Sequence, residues 1–141
     1  MGITSITTAG DLKDLLNTSW RNNNVKRPEI DLAINETETG LEKKDKIVIY
    51  TNTEGISPFS LYGTNWLHTL IYTIECVSHE SHTTSEKLLD EIDRIIKANV
   101  RFSINNRNYV DMLPTNIVPL IDNERNIFRY HYEVQIRQVD P

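Results

Sequence analysis

The order of the patterned segments constrains the fold of this chain more than any single motif does. Apolar residues recur first with helical spacing, then alternate as in strands, then return to helical spacing over a longer stretch, and finally alternate again. This order, α-β-β-β-α-β-β within 141 residues, is typical of helices layered on one sheet. We therefore predict a single α+β domain over residues 1–141, with a mainly antiparallel sheet and the helices packed on one face.

Both helices are predicted from apolar stripes at intervals of three and four residues. The first spans 11–20 and carries Leu12, Leu15, Leu16 and Trp20. The second spans 84–99 and presents to the sheet Leu88, Leu89, Ile92, Ile95 and Ile96. Its charged residues, Glu91 among them, lie off this stripe, and Thr83-Thr84-Ser85-Glu86 predicts a capping box at its start.

Four segments are predicted to form the main sheet: 29–36, 46–52, 66–79 and 127–138. The last alternates most strictly and places on one face Phe128, Tyr130, Tyr132, Val134 and Ile136. Pro114 and Pro119 limit a further strand between 109 and 121 to a sheet edge or to broken pieces, because proline cannot donate to a strand ladder. Asn105-Asn106 predicts a loop, since asparagine tolerates left-handed backbone.

Residues 53–65 are predicted to form a long loop, because Gly55, Pro58 and Gly63 interrupt the strand pattern. The loop is unusually apolar, and its candidate interface residues are Ile56, Phe59, Leu61 and Tyr62. Such side chains either fold back on the core of the domain or become buried against another chain. The sequence leaves both alternatives open.

Composition and charge argue against several classes of function. A net charge of −5 disfavours general nucleic-acid binding, which needs a cationic surface. Cys76 is the single cysteine, so no internal disulfide can form. The polar first ten residues do not match a secretion signal, and no stretch approaches the ~20 apolar residues of a membrane span. We expect a soluble protein that is made and used inside a cell.

Cys76, His79 and His82 carry side chains that bind zinc, with two residues between successive members. A closed zinc site needs a fourth ligand, and His68 and His131 stand at no motif spacing from these three. A buried cysteine followed by two histidines in a strand-to-helix turn is the simpler interpretation. We predict no bound metal and no cofactor.

Asp31, Glu42 and Lys44 match, weakly, the D…E-x-K pattern of metal-dependent nucleases. In such enzymes the carboxylates hold Mg²⁺ and the lysine stabilises developing charge. Here Glu42 and Lys44 follow Gly40 in a charged run that is typical of a solvated turn. No nucleophile elbow and no phosphate-binding loop occurs, so we predict no catalytic residues and keep a small Mg²⁺-dependent nuclease as the alternative.

Five segments together resemble the tail terminator (tail completion) proteins of long-tailed phages and archaeal viruses. They are DLKDLLNTSW, KIVIYT, TLIYTIECV, TSEKLLDEIDRIIKANV and FRYHYEVQIRQV, which begin at residues 11, 46, 69, 84 and 128. The resemblance covers most of the chain and rests on pattern and order. It implies a helix, three antiparallel strands, a capped helix and two closing strands.

The resemblance also implies a function. Tail terminators are structural virion proteins that form a ring, typically of six copies, on the last ring of the tail tube. The ring stops tube polymerisation and joins the tail to the head connector, and DNA passes through it without specific binding. The implied partners are other copies of this chain, the tail tube protein and the connector, with no membrane. The implied location is the head-proximal end of the tail after assembly in the host cytoplasm, and another head–tail neck protein is the neighbouring alternative.

Overall fold

The structure, a computed structural model, describes residues 5–33, 44–58 and 66–140. Two helices and seven strands follow one another in the described residues. They are α1 (Ser5–Ser19), β1 (Glu29–Leu32), β2 (Lys46–Pro58), β3 (Trp66–Ser78), α2 (His82–Ala98), β4 (Phe102–Ile104), β5 (Arg107–Tyr109), β6 (Asp111–Asp122) and β7 (Ile127–Asp140). The predicted α+β class and the predicted order of the main elements are confirmed.

Five of the strands form one sheet in the order β1-β2-β3-β7-β6. Its pairs are antiparallel with one exception, since β1 runs parallel to β2. The implied set of three antiparallel strands is therefore wrong at β1. A parallel neighbour requires a crossover of about a dozen residues, and the segment 33–45 between these two strands has that length.

Both helices pack on one face of the sheet, as predicted. The face is formed by alternate residues of the central strands, and these are buried: Leu70, Tyr72, Ile74 and Cys76 of β3, and Tyr130, Tyr132, Val134 and Ile136 of β7. In the same core, α1 contributes Leu12 and Leu16 over β1 and β2, and α2 contributes Leu88, Ile92, Ile95 and Ile96 over β3, β6 and β7. Each apolar stripe identified in the sequence is therefore part of one core.

The N-terminus of α2 differs from its prediction. Ser81 is the N-cap, and its Oγ accepts the N–H of Thr84 at 3.1 Å. The predicted capping box at 83–86 is therefore wrong, and the helix begins at His82. A serine just before the helix accepts one of the first N–H groups, which have no partner within the helix.

A small hairpin of β4 and β5, outside the main sheet, was not predicted. Its turn is Asn105-Asn106, and both residues have positive φ, 53° and 62°. Two successive left-handed residues suit the right-handed twist of a two-residue hairpin, and asparagine adopts that conformation at low cost. The asparagine loop is thus confirmed, while strands of three residues are too short to show a periodicity.

Candidate interaction surface

Residues 53–58 of the predicted apolar loop at 53–65 belong to a strand. Residues 53–58 continue β2 and pair with β3 up to Pro58, opposite Trp66. Of the four candidate interface residues, Ile56 lies on β2 and is 60% exposed. Phe59, Leu61 and Tyr62 lie outside the described residues.

Ile56 has an exposed apolar neighbour in Trp66, which is 44% exposed. Ile56 pairs with His68 and Trp66 pairs with Pro58, so the two side chains are diagonal neighbours on the helix-bearing face of the sheet. We call Ile56 and Trp66 the arm patch, because the ends of β2 and β3 present it.

A second exposed apolar group lies on β6, the last strand of the sheet. Its members are 37–45% exposed and are Leu113, Ile117, Val118, Leu120 and Ile121. We call these five side chains the edge patch. Leu113, Val118 and Leu120 share the open face of the sheet, while Ile117 and Ile121 share the helix-bearing face. The prolines predict an edge strand or broken pieces, and β6 is an edge strand; its exposed side chains were not predicted to form a surface.

The outer backbone edge of β6 is poor in hydrogen-bond donors. Met112 donates its N–H to the carbonyl of Val100 at 2.7 Å, away from β7. The backbone groups of successive strand residues alternate in direction, and the register shifts once after Pro114. The backbone of positions 114, 117, 119 and 121 therefore also points away from β7. Positions 114 and 119 are prolines, and the N–H of Ile117 bonds to Asn116 Oδ1 at 3.0 Å. Two of the five outward positions therefore lack an N–H and two have theirs bonded.

The two patches lie far apart on one molecule. Through the strand register Ile56 is level with Gln138 of β7, and Ile117 is level with Tyr132, six residues away. Six residues of strand span roughly 20 Å, and the three strand steps from β2 to β6 add about 14 Å sideways. The patches are thus roughly 25 Å apart. One chain cannot cover its own edge patch with its own arm patch.

Ionic and hydrogen-bonded contacts of Glu91 and Arg94 join α2 to the end of α1. Glu91, buried on α2, accepts the backbone N–H of Arg21 at 2.7 Å and binds Arg94 with both carboxylate oxygens. Arg94 also donates to the carbonyl of Ser19, at the end of α1. The hydrogen bonds from Arg94 lower the pKa of Glu91. The prediction that Glu91 lies off the buried stripe is therefore wrong, because its charge is paired at the contact between the helices.

Two of the three candidate zinc ligands, Cys76 and His82, have other surroundings. Cys76 is fully buried in the core, and burial raises the pKa of its thiol to about 12. His82 Nε2 lies 2.8 Å from the hydroxyl of Tyr130. Within residues 5–33, 44–58 and 66–140, no group of three or more His, Cys, Asp or Glu side chains is placed to hold a metal ion.

The residues of the nuclease alternative are only partly described. Asp31 lies on β1, and Glu42 lies outside the described residues. Lys44 Nζ is 2.8 Å from Glu29 Oε2, in an exposed ion pair. The structure therefore shows a half-exposed lysine already paired with a carboxylate of β1.

An open groove of about 530 Å³ lies beside this ion pair, between residues 24–29 and the start of α2. Its charged lining mixes both signs: Lys26, Arg27 and Lys87 with Glu29, Asp45 and Glu80. Asp45 accepts the N–H of His79 at 3.1 Å, so part of this lining serves the local backbone. Among the helices described, none is long and apolar enough to cross a membrane.

No protein-family model and no curated protein sequence matches this chain. Solved structures nevertheless share its class of fold, a single α+β sheet with helices on one face. One is a chain from the virion of a native gene transfer agent particle, with a TM-score of 0.53 and 10% identity over 89% of this chain and 82% of that chain. Another, known by a sequence code alone, has a TM-score of 0.58 and 13% identity over 99% of both chains. At these identities the likeness establishes the fold.

Proposed function

We propose that this chain is a structural virion protein of the tail terminator type, which forms a ring on the end of the tail tube and joins it to the head connector. The observation that carries the proposal is a pair of different exposed apolar patches on separate strands of one sheet. The fold of the chain is also found in a chain of a gene transfer agent virion. A protein–protein contact would bury both patches, and two different patches on one chain suit a closed ring.

The charge of the chain suits the passage of DNA through such a ring. A net charge of −5 gives the surface no general affinity for phosphates, so DNA would slide past without being held. The partners in this proposal are other copies of the chain, the tail tube protein and the connector. The mechanism is the burial of subunit surfaces, with no catalytic step.

Native mass spectrometry and negative-stain microscopy of the purified chain, alone and mixed with tail tubes of its virus, test the proposal. We expect rings, typically of six copies, that bind to one end of the tubes and stop their growth. A chain that stays monomeric both alone and with tubes would contradict the proposal. Rings that bind connectors but leave tube ends free would favour another neck protein.

The untested loop residues belong to the same proposal. A variant with Phe59→Ser and Leu61→Ser should remain folded but form fewer rings, because each large apolar side chain buried at a contact contributes ~1.5–3 kcal/mol. Circular dichroism checks the fold, and native mass measures the assembly. Unfolding would instead place these side chains in the core of the chain itself, and normal assembly would remove them from the interface.

The nuclease alternative is separated by one activity assay. The wild-type chain and a variant with Asp31→Ala and Glu42→Ala are incubated with plasmid DNA and Mg²⁺. Our proposal predicts that neither protein cleaves the DNA. Metal-dependent cleavage by the wild type that the double variant loses would overturn the structural function.

A further inference from the structure

We infer that neighbouring copies in the ring meet arm patch to edge patch. Ile56 and Trp66 of one copy pack on the β6 side chains of the next, and the contact is made by side chains without a shared sheet. This inference rests on the proposed ring and names the surfaces that close it. The occupant of the edge patch is thus a second copy of this chain.

The position of the patches favours a head-to-tail contact. They consist of different residues on different strands, and Ile56 and Ile117 lie roughly 25 Å apart. A symmetric dimer needs one patch that is complementary to itself, whereas a ring needs two different patches. The chain has two different patches, as a ring requires.

An arrangement that covers both patches is favoured as well. Five apolar side chains that are 37–45% exposed offer on the order of 200 Å² of apolar surface in the edge patch. A symmetric dimer formed by two edge patches would leave Ile56 and Trp66 exposed. A head-to-tail contact covers both patches of every copy.

The backbone of β6 decides how the contact is made. An added strand would need the outward N–H groups of β6 as donors. Pro114 and Pro119 remove two of them, and those of Met112 and Ile117 are already bonded. The apolar side chains of both faces remain available, so a neighbour packs across the edge of the strand without extending the sheet.

Disulfide cross-linking between single-cysteine substitutions tests the pairing. Cys76 can stay in place, because its thiol is fully buried. The Ile56→Cys protein is mixed in turn with Ile117→Cys, Val118→Cys or Leu120→Cys under mild oxidation, and Lys87→Cys, exposed on α2, is the matched control. We expect a covalent dimer in at least one of these mixtures at several times the yield of the Lys87→Cys mixture. A disulfide requires Cα atoms within about 7 Å, so it reports direct contact between copies.

The same samples are examined by native mass, which separates failure of the pairing from failure of the ring. Rings without any cross-link from Ile56→Cys would overturn the pairing and leave the proposed function standing. A dimer formed by Leu120→Cys alone would show edge-to-edge contact and would also overturn it. Chains that are monomeric alone and with tail tubes would overturn the ring and the pairing together.

Discussion

Arg107 and Asp11 join the β4–β5 hairpin to α1, with Arg107 Nε 2.6 Å from Asp11 Oδ2. Asp11 is almost completely buried and also accepts hydrogen bonds from the Tyr109 hydroxyl and from Asn105. Burial alone would raise the pKa of Asp11, but these hydrogen bonds outweigh it and lower the pKa. The carboxylate therefore stays charged and holds a hairpin that is distant in sequence.

Asp11→Asn should lower the free energy of unfolding by about 2–3 kcal/mol, because charge-assisted hydrogen bonds are lost and the Tyr109 and Arg107 donors lose their best acceptor. Urea denaturation measures the change. Asp14→Asn is the matched control, since Asp14 is exposed on the same helix and also accepts a hydrogen bond from Asn105. We expect its effect to stay near 0.5 kcal/mol. Equal losses in the two variants would contradict the role of Asp11.

The stabilisation by Asp11 should depend on pH in a defined direction. A carboxyl whose pKa is lower in the folded than in the unfolded chain stabilises the fold above its unfolded pKa, near 3.8. This stabilisation is lost as the pH falls through the folded pKa. The difference in stability between wild type and Asp11→Asn should therefore be constant at neutral pH and shrink at pH values below about 4. A difference that instead grows on acidification would show that folding does not lower the pKa of Asp11.

Ile92→Asp should prevent folding, because Ile92 is completely buried between α2 and the sheet. An unpaired charge at that position costs several kcal/mol. Circular dichroism and thermal melting test this, with Lys87→Asp on the exposed side of the same helix as the control. A soluble Ile92→Asp protein with a normal melting transition would refute the packing of α2.

Pro119→Val should make the β6 edge competent for strand addition, since valine restores an outward N–H at a position of high strand propensity. We expect concentration-dependent association and stronger thioflavin fluorescence than for the wild type. Pro28→Val, at a proline before β1, is the control. Unchanged association of Pro119→Val would show that the missing donor does not protect this edge.

No transition metal should copurify with the chain. The thiolate that would bind zinc is disfavoured, because burial raises the pKa of Cys76 to about 12. Elemental analysis of protein purified without an affinity tag should show far less than one zinc per chain. Stoichiometric zinc that disappears on His79→Ala would restore the site formed by Cys76, His79 and His82.

The sequence was sufficient for features that repeat within one element. The alternation of Tyr130, Tyr132 and Val134 determined which face of β7 is buried, and the spacing of Leu88 and Ile92 determined the buried face of α2. Each pattern is local, because the period of the backbone turns apolar spacing directly into one face.

The tertiary structure decided which segments meet. Arg107 and Asp11 are distant in sequence, and the parallel pairing of β1 with β2 follows from the path of the chain between them. The edge patch is the clearest case: Ile117 and Val118 have the apolar character of residues in a buried strand, yet β6 ends the sheet and leaves them exposed. Periodicity records which side of an element is apolar. What covers that side depends on contact free energies between distant segments, or between copies of the chain, which no local pattern contains.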